Sequence, residues 1–326
     1  MSLFVLGMAA GFALLIVGAQ LFVSGAAATA RNLGVSTLIV GLTIVGFGTS
    51  APELLVSATA AREGATGLAV GNAVGSNIAN IGLVLGASAL LAPIAVHSNV
   101  LRREFPILFA VMLVAVLLLL DHRLDRSDGW ILIAGLGLLL YWVVSLGLRE
   151  RSDALGTEVD AELGAPMSMP RALLGVAVGL GLLLLGSKLL VWGAVNTAQA
   201  LGVSDLIIGL TVVAVGTSLP EAATAVVSAL KGEHDIALGN VIGSNMFNLL
   251  GVLGVAGAMR AAPIDGAVLS RDFVTMTAFT IALFAMAYGF RKPGRINRLE
   301  GAALLAGYCA YLLMIYHNGL AAEAST

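Results

Sequence analysis

Charge is scarce in this chain of 326 residues: Asp, Glu, Lys and Arg together make up 11% of it, against about 25% in soluble domains. So few charges cannot clothe a water-facing surface, which excludes a soluble globular enzyme. The 59% of hydrophobic residues equally excludes a disordered chain. Acidic and basic residues almost cancel, leaving a net charge of −2. No concentrated basic face is available to neutralise phosphates, so no nucleic-acid partner is expected. With Cys309 as its single cysteine, the chain can form neither an intramolecular disulfide framework nor a Cys-based metal cluster. Its four histidines, His97, His122, His234 and His317, all stand beside charged or polar breaks. What fills the space is apolar, with a mean hydropathy of +0.98. This is the composition of a polytopic membrane protein.

A helix needs about 20 apolar residues to cross a bilayer. Apolar runs between charged or turn-rich breaks predict ten spans, at 2–29, 36–61, 66–92, 103–120, 129–147, 170–198, 204–229, 235–259, 271–290 and 299–317. Alternating segments of about 10 residues, the mark of a β-barrel, do not occur, so the fold class is all-α. No Lys or Arg precedes Arg31; the first run therefore lacks the basic start of a cleaved signal peptide and reads as a retained span. The polar stretch 148–169, with Arg149, Glu150, Arg151, Asp153, Glu158, Asp160 and Glu162, divides the chain into five-span units at 1–147 and 170–326. Cytoplasmic loops are enriched in Lys and Arg. Placing both termini outside puts eleven such residues in inside loops and five in outside ones. The expected location is the cytoplasmic (inner) membrane, multi-pass, with both termini on the outer, periplasmic side.

Shifted by 168, the sequence matches itself without a gap. Residues 33–53 and 201–221 agree at 15 of 21 positions, and 71–86 and 239–254 at 9 of 16. Gly18 to Gly25 faces Gly186 to Gly193, and Arg103-Glu104-Phe105 faces Arg271-Asp272-Phe273. Five spans is an odd number, so the second copy enters the membrane from the opposite side. The expected architecture is two inverted five-helix repeats with broken helices at a central site, an arrangement typical of secondary transporters.

Charge inside a span is costly and marks function. Glu53 and Glu221 are such charges, each directly after a proline. Pro52 and Pro220 lack an N–H, so the carbonyls of Gly48 and Gly216 lose their helical partners. Thr49 and Ser50, like Thr217 and Ser218, add hydroxyls, and Thr49 shares a helix face with Glu53. This is an all-oxygen set for a hard cation; Ca2+ takes about six to eight oxygens. The absence of His and Cys argues against a zinc or copper site. Alternatively each Glu pairs with a buried base, for which Lys188, facing Gln20 in the first copy, is the candidate within a span. A lysine there can instead snorkel or face a watery crevice.

Asn72, Ser76 and Asn80 follow at a spacing of four, matched by Asn240, Ser244 and Asn248. Ser76, Asn80, Ser244 and Asn248 read as facing the site. For Asn72, Asn77, Asn240 and Asn245, hydrogen bonding between helices, worth about 0.6 kcal/mol per contact, stands beside ligation. Gly71, Gly75, Gly239 and Gly243 leave room for close helix approach.

Gly-x-Gly-Thr-Ser-x-Pro-Glu at 46–53 with Gly-Asn-x-x-Gly-Ser-Asn at 71–77, and the second copy at 216–221 and 239–245, resemble the α-repeats of the cation/calcium antiporter superfamily. The prokaryotic sodium/calcium exchanger branch is the nearest in pattern. The resemblance covers nearly the whole chain, with the two motifs at 46–80 and 214–248. It implies that Glu53 and Glu221 are central carboxylates shared by Ca2+ and Na+, and that Thr49 and Thr217 give backbone carbonyls to Ca2+. It implies further that Ser50, Ser76, Ser218 and Ser244, with carbonyls near Gly46 and Ala214, complete flanking Na+ sites, while Asn80 and Asn248 line the middle. Spans 2–29 and 170–198 would slide against the other eight. Some relatives, including potassium-dependent ones, have Asp where Asn248 stands; two formal charges without a third acid predict independence from K+. The Glu-His of the proton/calcium branch is replaced by Ser76 and Asn77.

The expectation is a secondary active antiporter, not an enzyme, exchanging Na+ for Ca2+ by alternating access and moving net charge. Ca2+ and Na+ are its cargo and the lipid bilayer its surroundings; no bound cofactor and no obligate protein partner are expected. A proton-coupled or broader divalent-cation antiporter differs in the driving ion. A cation channel would pass ions without a counter-ion.

Overall fold

Apolar runs separated by glycine, proline and charge fold into helices wherever the backbone must satisfy itself without water. The computed structural model describes residues 2–96, 103–154, 167–201, 214–288 and 294–323. Helix α1 (Ser2–Leu33) is followed by α2 (Thr37–Thr49), α3 (Ala51–Glu63) and α4 (Thr66–Leu91). The pair α5 (Phe105–Leu118) and α6 (Arg126–Ala154) completes the first half. The second half runs α7 (Met169–Ala200), α8 (Ala214–Thr217), α9 (Leu219–Leu230), α10 (His234–Met259), α11 (Val268–Tyr288) and α12 (Arg298–Glu323).

Seven of these helices are long and apolar enough to cross a membrane, and α2 with α3 makes an eighth as a span bent by 44°. Of the other two predicted spans, 103–120 is helical from 103 through Leu118, with α5 as its α-helical part, and 204–229 is represented by α8 and α9, since residues 202–213 lie outside the described residues. The polar stretch expected at 148–169 is shorter than predicted, because α6 continues through Ala154. Residues 148–154 contain no Gly or Pro to stop the helix.

Counterpart helices α1 and α7 lie side by side and run antiparallel. A Cβ at Gly11 would lie 2.6 Å from Leu190 N, one at Gly18 2.9 Å from Leu183 N, and one at Gly25 2.7 Å from Ala172 O. Only glycine lets two backbones approach this closely. This pair shares a small hydrophobic core with α2 and the start of α10, including Leu15, Phe22, Val45 and Leu183. A larger core joins the remaining helices. Within it α4 and α10 are central: 72% and 83% of their membrane windows are buried, against 22% for α1, α6, α7 and α12.

Two short antiparallel ladders tie loops of one half to loops of the other. β1 (Ile94–Ala95) pairs with β4 (Arg295–Ile296), and β2 (Arg123–Leu124) with β3 (Ala262–Pro263). Loops so joined must lie on the same membrane face.

Candidate cation site

The two Pro-Glu motifs break their helices in the same way. Ser50, with φ −82° and ψ 11°, separates α2 from α3; Ser218, with φ −88° and ψ 7°, separates α8 from α9. Each proline stands in the first turn of the new helix, where its missing N–H has no bond to lose. The prolines thus start α3 and α9 on the far side of each break. Glu53 and Glu221 also fall in those first turns, at the positive ends of the helix dipoles. Both carboxylates are buried.

Around Glu221 the contacts cross between the halves. Ser50 Oγ lies 3.0 Å from Glu221 Oε1 and 2.9 Å from Gly46 O. Ser244 donates to the same Gly46 carbonyl at 3.0 Å, and Thr49 to Asn240 Oδ1 at 3.1 Å. Gly46, Thr49, Ser50, Glu221 and Ser244 are therefore one cluster. It depends on glycine: a Cβ at Gly239 would sit 2.9 Å from Gly41 Cα, and one at Gly243 would meet Leu42 O. The partner segment that the repeat assigns to Gly71 and Gly75 lies outside the described residues. On the other side, the Gly216 carbonyl freed by Pro220 accepts from Ser187 at 2.8 Å. Ser187 faces Ala19 in the first copy, and the sequence comparison did not single it out.

The asparagines of α4 and α10 bond in matched sets. Asn72 and Asn240 donate to the backbone carbonyls of Glu53 and Glu221, each at 3.1 Å. Asn80 donates to Asn245 Oδ1 at 3.0 Å and Asn248 to Asn77 Oδ1 at 3.1 Å; adding 168 to Asn80 and subtracting it from Asn245 turns the first pair into the second. Helical geometry changes at the same point in both copies, with π-turns at Asn80–Leu85 and Asn248–Val252. Such turns are frequent at functional sites.

Five buried oxygens in this region have no hydrogen-bond partner: Glu53 Oε2, Asn80 Oδ1, Ser218 Oγ, Glu221 Oε2 and Asn248 Oδ1. Asp272, another buried acid, shows the contrast. It receives Arg271 at 2.6 and 3.0 Å and the Tyr311 hydroxyl at 3.0 Å. Among the described residues no base pairs with Glu53 or Glu221. Lys188 is exposed on α7 and does not serve them. No cluster of His, Cys, Asp and Glu that could hold a metal occurs among the described residues. Ser76 is buried on α4, and Thr217 and Ala214 belong to α8.

The sequence pattern of the family described as sodium/calcium exchanger protein matches residues 3–148 and 171–317. This chain belongs to that family. Relatives of this exchanger include CaxA of Alkalimonas amylolytica, provisionally named an antiporter, 49% identical over 94% of this chain and 97% of its own length. Inner membrane protein YrbG of Escherichia coli is 40% identical, with 94% of each chain covered. Among solved structures, the sodium-calcium exchanger NCX_Mj soaked with 10 mM Na+ and 10 mM Sr2+ superposes with a TM-score of 0.81 at 34% identity, covering 95% of this chain and 98% of that one. The exchanger is a multi-pass membrane protein and a cation/Ca2+ antiporter of a transporter family.

Proposed function

We propose that this exchanger moves Na+ one way and Ca2+ the other by alternating access to one site around Glu53 and Glu221. The five buried oxygens without a donor carry the reading. Polar atoms so placed are satisfied by something, and a cation accepts lone pairs from all five. Two ionised carboxylates in a low-dielectric cavity need about two compensating positive charges, which one Ca2+ or a few Na+ supply. A half-filled pocket leaves a carboxylate uncompensated and resists passage through the occluded state. The two fluxes are thereby coupled without a separate gate.

In this reading Thr49 and Thr217 offer backbone carbonyls to Ca2+. Ser50, Ser244 and the Gly46 carbonyl form one Na+ site, and Ser76, Ser218 and the Ala214 carbonyl form its image. Asn80 and Asn248 line the middle. The frame is ten helices in two inverted units, 1–147 and 170–326. The antiparallel α1 and α7, the exchanged asparagine pairs and the two ladders between loops support it. Its location is the inner membrane, as the name of YrbG suggests, with both termini on the outer side. Asn248 supplies no third charge, so K+ is not needed.

The test is Ca2+ uptake into proteoliposomes loaded with Na+, compared with K+ or choline, at fixed pH. Uptake is expected with internal Na+ alone, unchanged by added K+. With three Na+ leaving for each Ca2+ that enters, one net positive charge moves outward, so a positive interior potential should speed uptake, each net charge moved through 100 mV being worth about 2.3 kcal/mol. Uptake driven by an outward H+ gradient and indifferent to Na+ would overturn the sodium reading. Flux without any counter-ion would overturn exchange.

A further inference from the structure

Several buried or half-buried hydroxyls in these helices bond the carbonyl four residues back: Thr29 to Gly25, Thr43 to Ile39, Ser88 to Val84 and Thr280 to Met276. Thr224 and Ser228 of α9 do not. Both are fully buried, and neither hydroxyl has a partner. They lie three and seven residues beyond Glu221, on its face of the helix. With Ser218 Oγ and Glu221 Oε2 they make an uninterrupted series of unsatisfied oxygens. Ten residues of helix cover about 15 Å, half of a hydrocarbon core of roughly 30 Å. The series ends near Lys231, Glu233 and His234, whose Nδ1 is buried and unpartnered as well. The equivalent positions in the first copy are Val56 and Ala60, so the series belongs to one half.

Unsatisfied hydroxyls in a dry interior are costly, and this series leads from the site to a membrane face. We infer that the face of α9 carrying Thr224 and Ser228 is a hydrated passage, along which water and cations travel between Glu221 and residues 231–235. It is covered here by α1, which packs along α9. The inference rests on the proposed site at Glu221, and its test separates the two.

In a Cys309→Ser background, Ser228→Cys and Thr224→Cys should react with a membrane-impermeant cationic methanethiosulfonate applied from the Lys231 face. Thr224→Val with Ser228→Ala should slow exchange several-fold while raising the melting temperature. A purely structural pair would lose stability instead. Both cysteines silent from either face, with Lys231→Cys reactive and exchange intact, would overturn the passage and leave the site standing. Exchange at the parent rate in the double variant would overturn it too. Reactive cysteines in a protein that shows no exchange would leave the passage and sink the site.

A second inference stands on different contacts. Lys231 Nζ donates to Ser24 Oγ at 2.6 Å and to Gln20 O at 3.0 Å, and Arg31 reaches Glu233 at 3.9 Å. These bonds tie α1 to the end of α9. Burial lowers the Lys231 ammonium below its ordinary pKa, with Glu233 acting the other way. Subtracting 168 from Lys231, and adding it to Gln20, maps this contact onto Glu63 and Lys188. That pair has opposite charges, yet both residues are exposed, and α7 has no packing along α3 comparable to that of α1 along α9. Inverted halves exchange conformations when access alternates. The geometry points to a pair of alternating latches: Lys231 holds α1 in this state, and Lys188 engages Glu63 in the other.

This too rests on the alternating-access reading. In the Cys309→Ser background, Glu63→Cys with Lys188→Cys should be joined by a short bifunctional methanethiosulfonate, arresting exchange until reductant is added. Lys231→Met should increase the yield several-fold. Failure to join under every ion gradient, while Ser24→Cys with Lys231→Cys joins and exchange persists, would overturn the latch alone. Loss of exchange in the uncrosslinked background would count against the transport reading instead.

Discussion

Glu221→Gln is expected to abolish Na+-dependent Ca2+ uptake in proteoliposomes, and Glu53→Gln to do the same. Glutamine keeps the shape and one acceptor oxygen but removes a charge. At about 4 Å and an effective dielectric near 20, one charge pair is worth about 4 kcal/mol, roughly a thousand-fold in affinity. No neighbouring acid can take over, because the matching middle positions are Asn80 and Asn248. Folding should survive, since Glu221 Oε1 receives Ser50 and an amide oxygen accepts equally well. The check is uptake beside a melting curve in detergent: normal uptake in either folded variant would remove these carboxylates from the site. Protons compete for the same oxygens, so acidification should lower uptake in the parent protein.

Gly243→Val is expected to cost most of the folded protein, or to leave a folded protein without exchange. A Cβ there meets Leu42 O, and α10 already touches α2 at Gly239 and Gly41. Overpacking a close contact costs about 1–3 kcal/mol, occasionally more, and the helices relieve it by separating. Separation would draw Ser244 from the Gly46 carbonyl, now 3.0 Å away. Gly137→Val is the control, because a Cβ at Gly137 meets nothing within 4 Å. Size-exclusion recovery and uptake read both variants. Normal recovery and uptake in Gly243→Val would show that the helix contact is not needed.

Much of this was legible along the chain because the bilayer simplifies the code. Spans are long apolar runs, and a polar residue inside one is conspicuous. Glu53, Glu221 and the stripes of Ser and Asn stood out for that reason. The shift of 168 related them before any contact was known. Other details belong to the structure: Ser50 and Ser218 interrupt the helices, and each proline begins the next one. Lys188, a candidate base for the carboxylates by position, is exposed.

The sequence by itself determined the membrane class, the doubled motif and which polar residues are set in apolar surroundings, since hydropathy and repetition are properties of order along the chain. Only the tertiary structure decided the partners. Asn80 meets Asn245, Asn248 meets Asn77, Ser187 satisfies the carbonyl freed by Pro220, and α1 rather than α7 carries the tether to Lys231. Two copies of one motif are nearly equivalent as strings. In space each packs against the other from the opposite direction, and hydrogen bonds reach only about 3 Å, so small differences in packing choose which oxygens are satisfied and which are left for an ion.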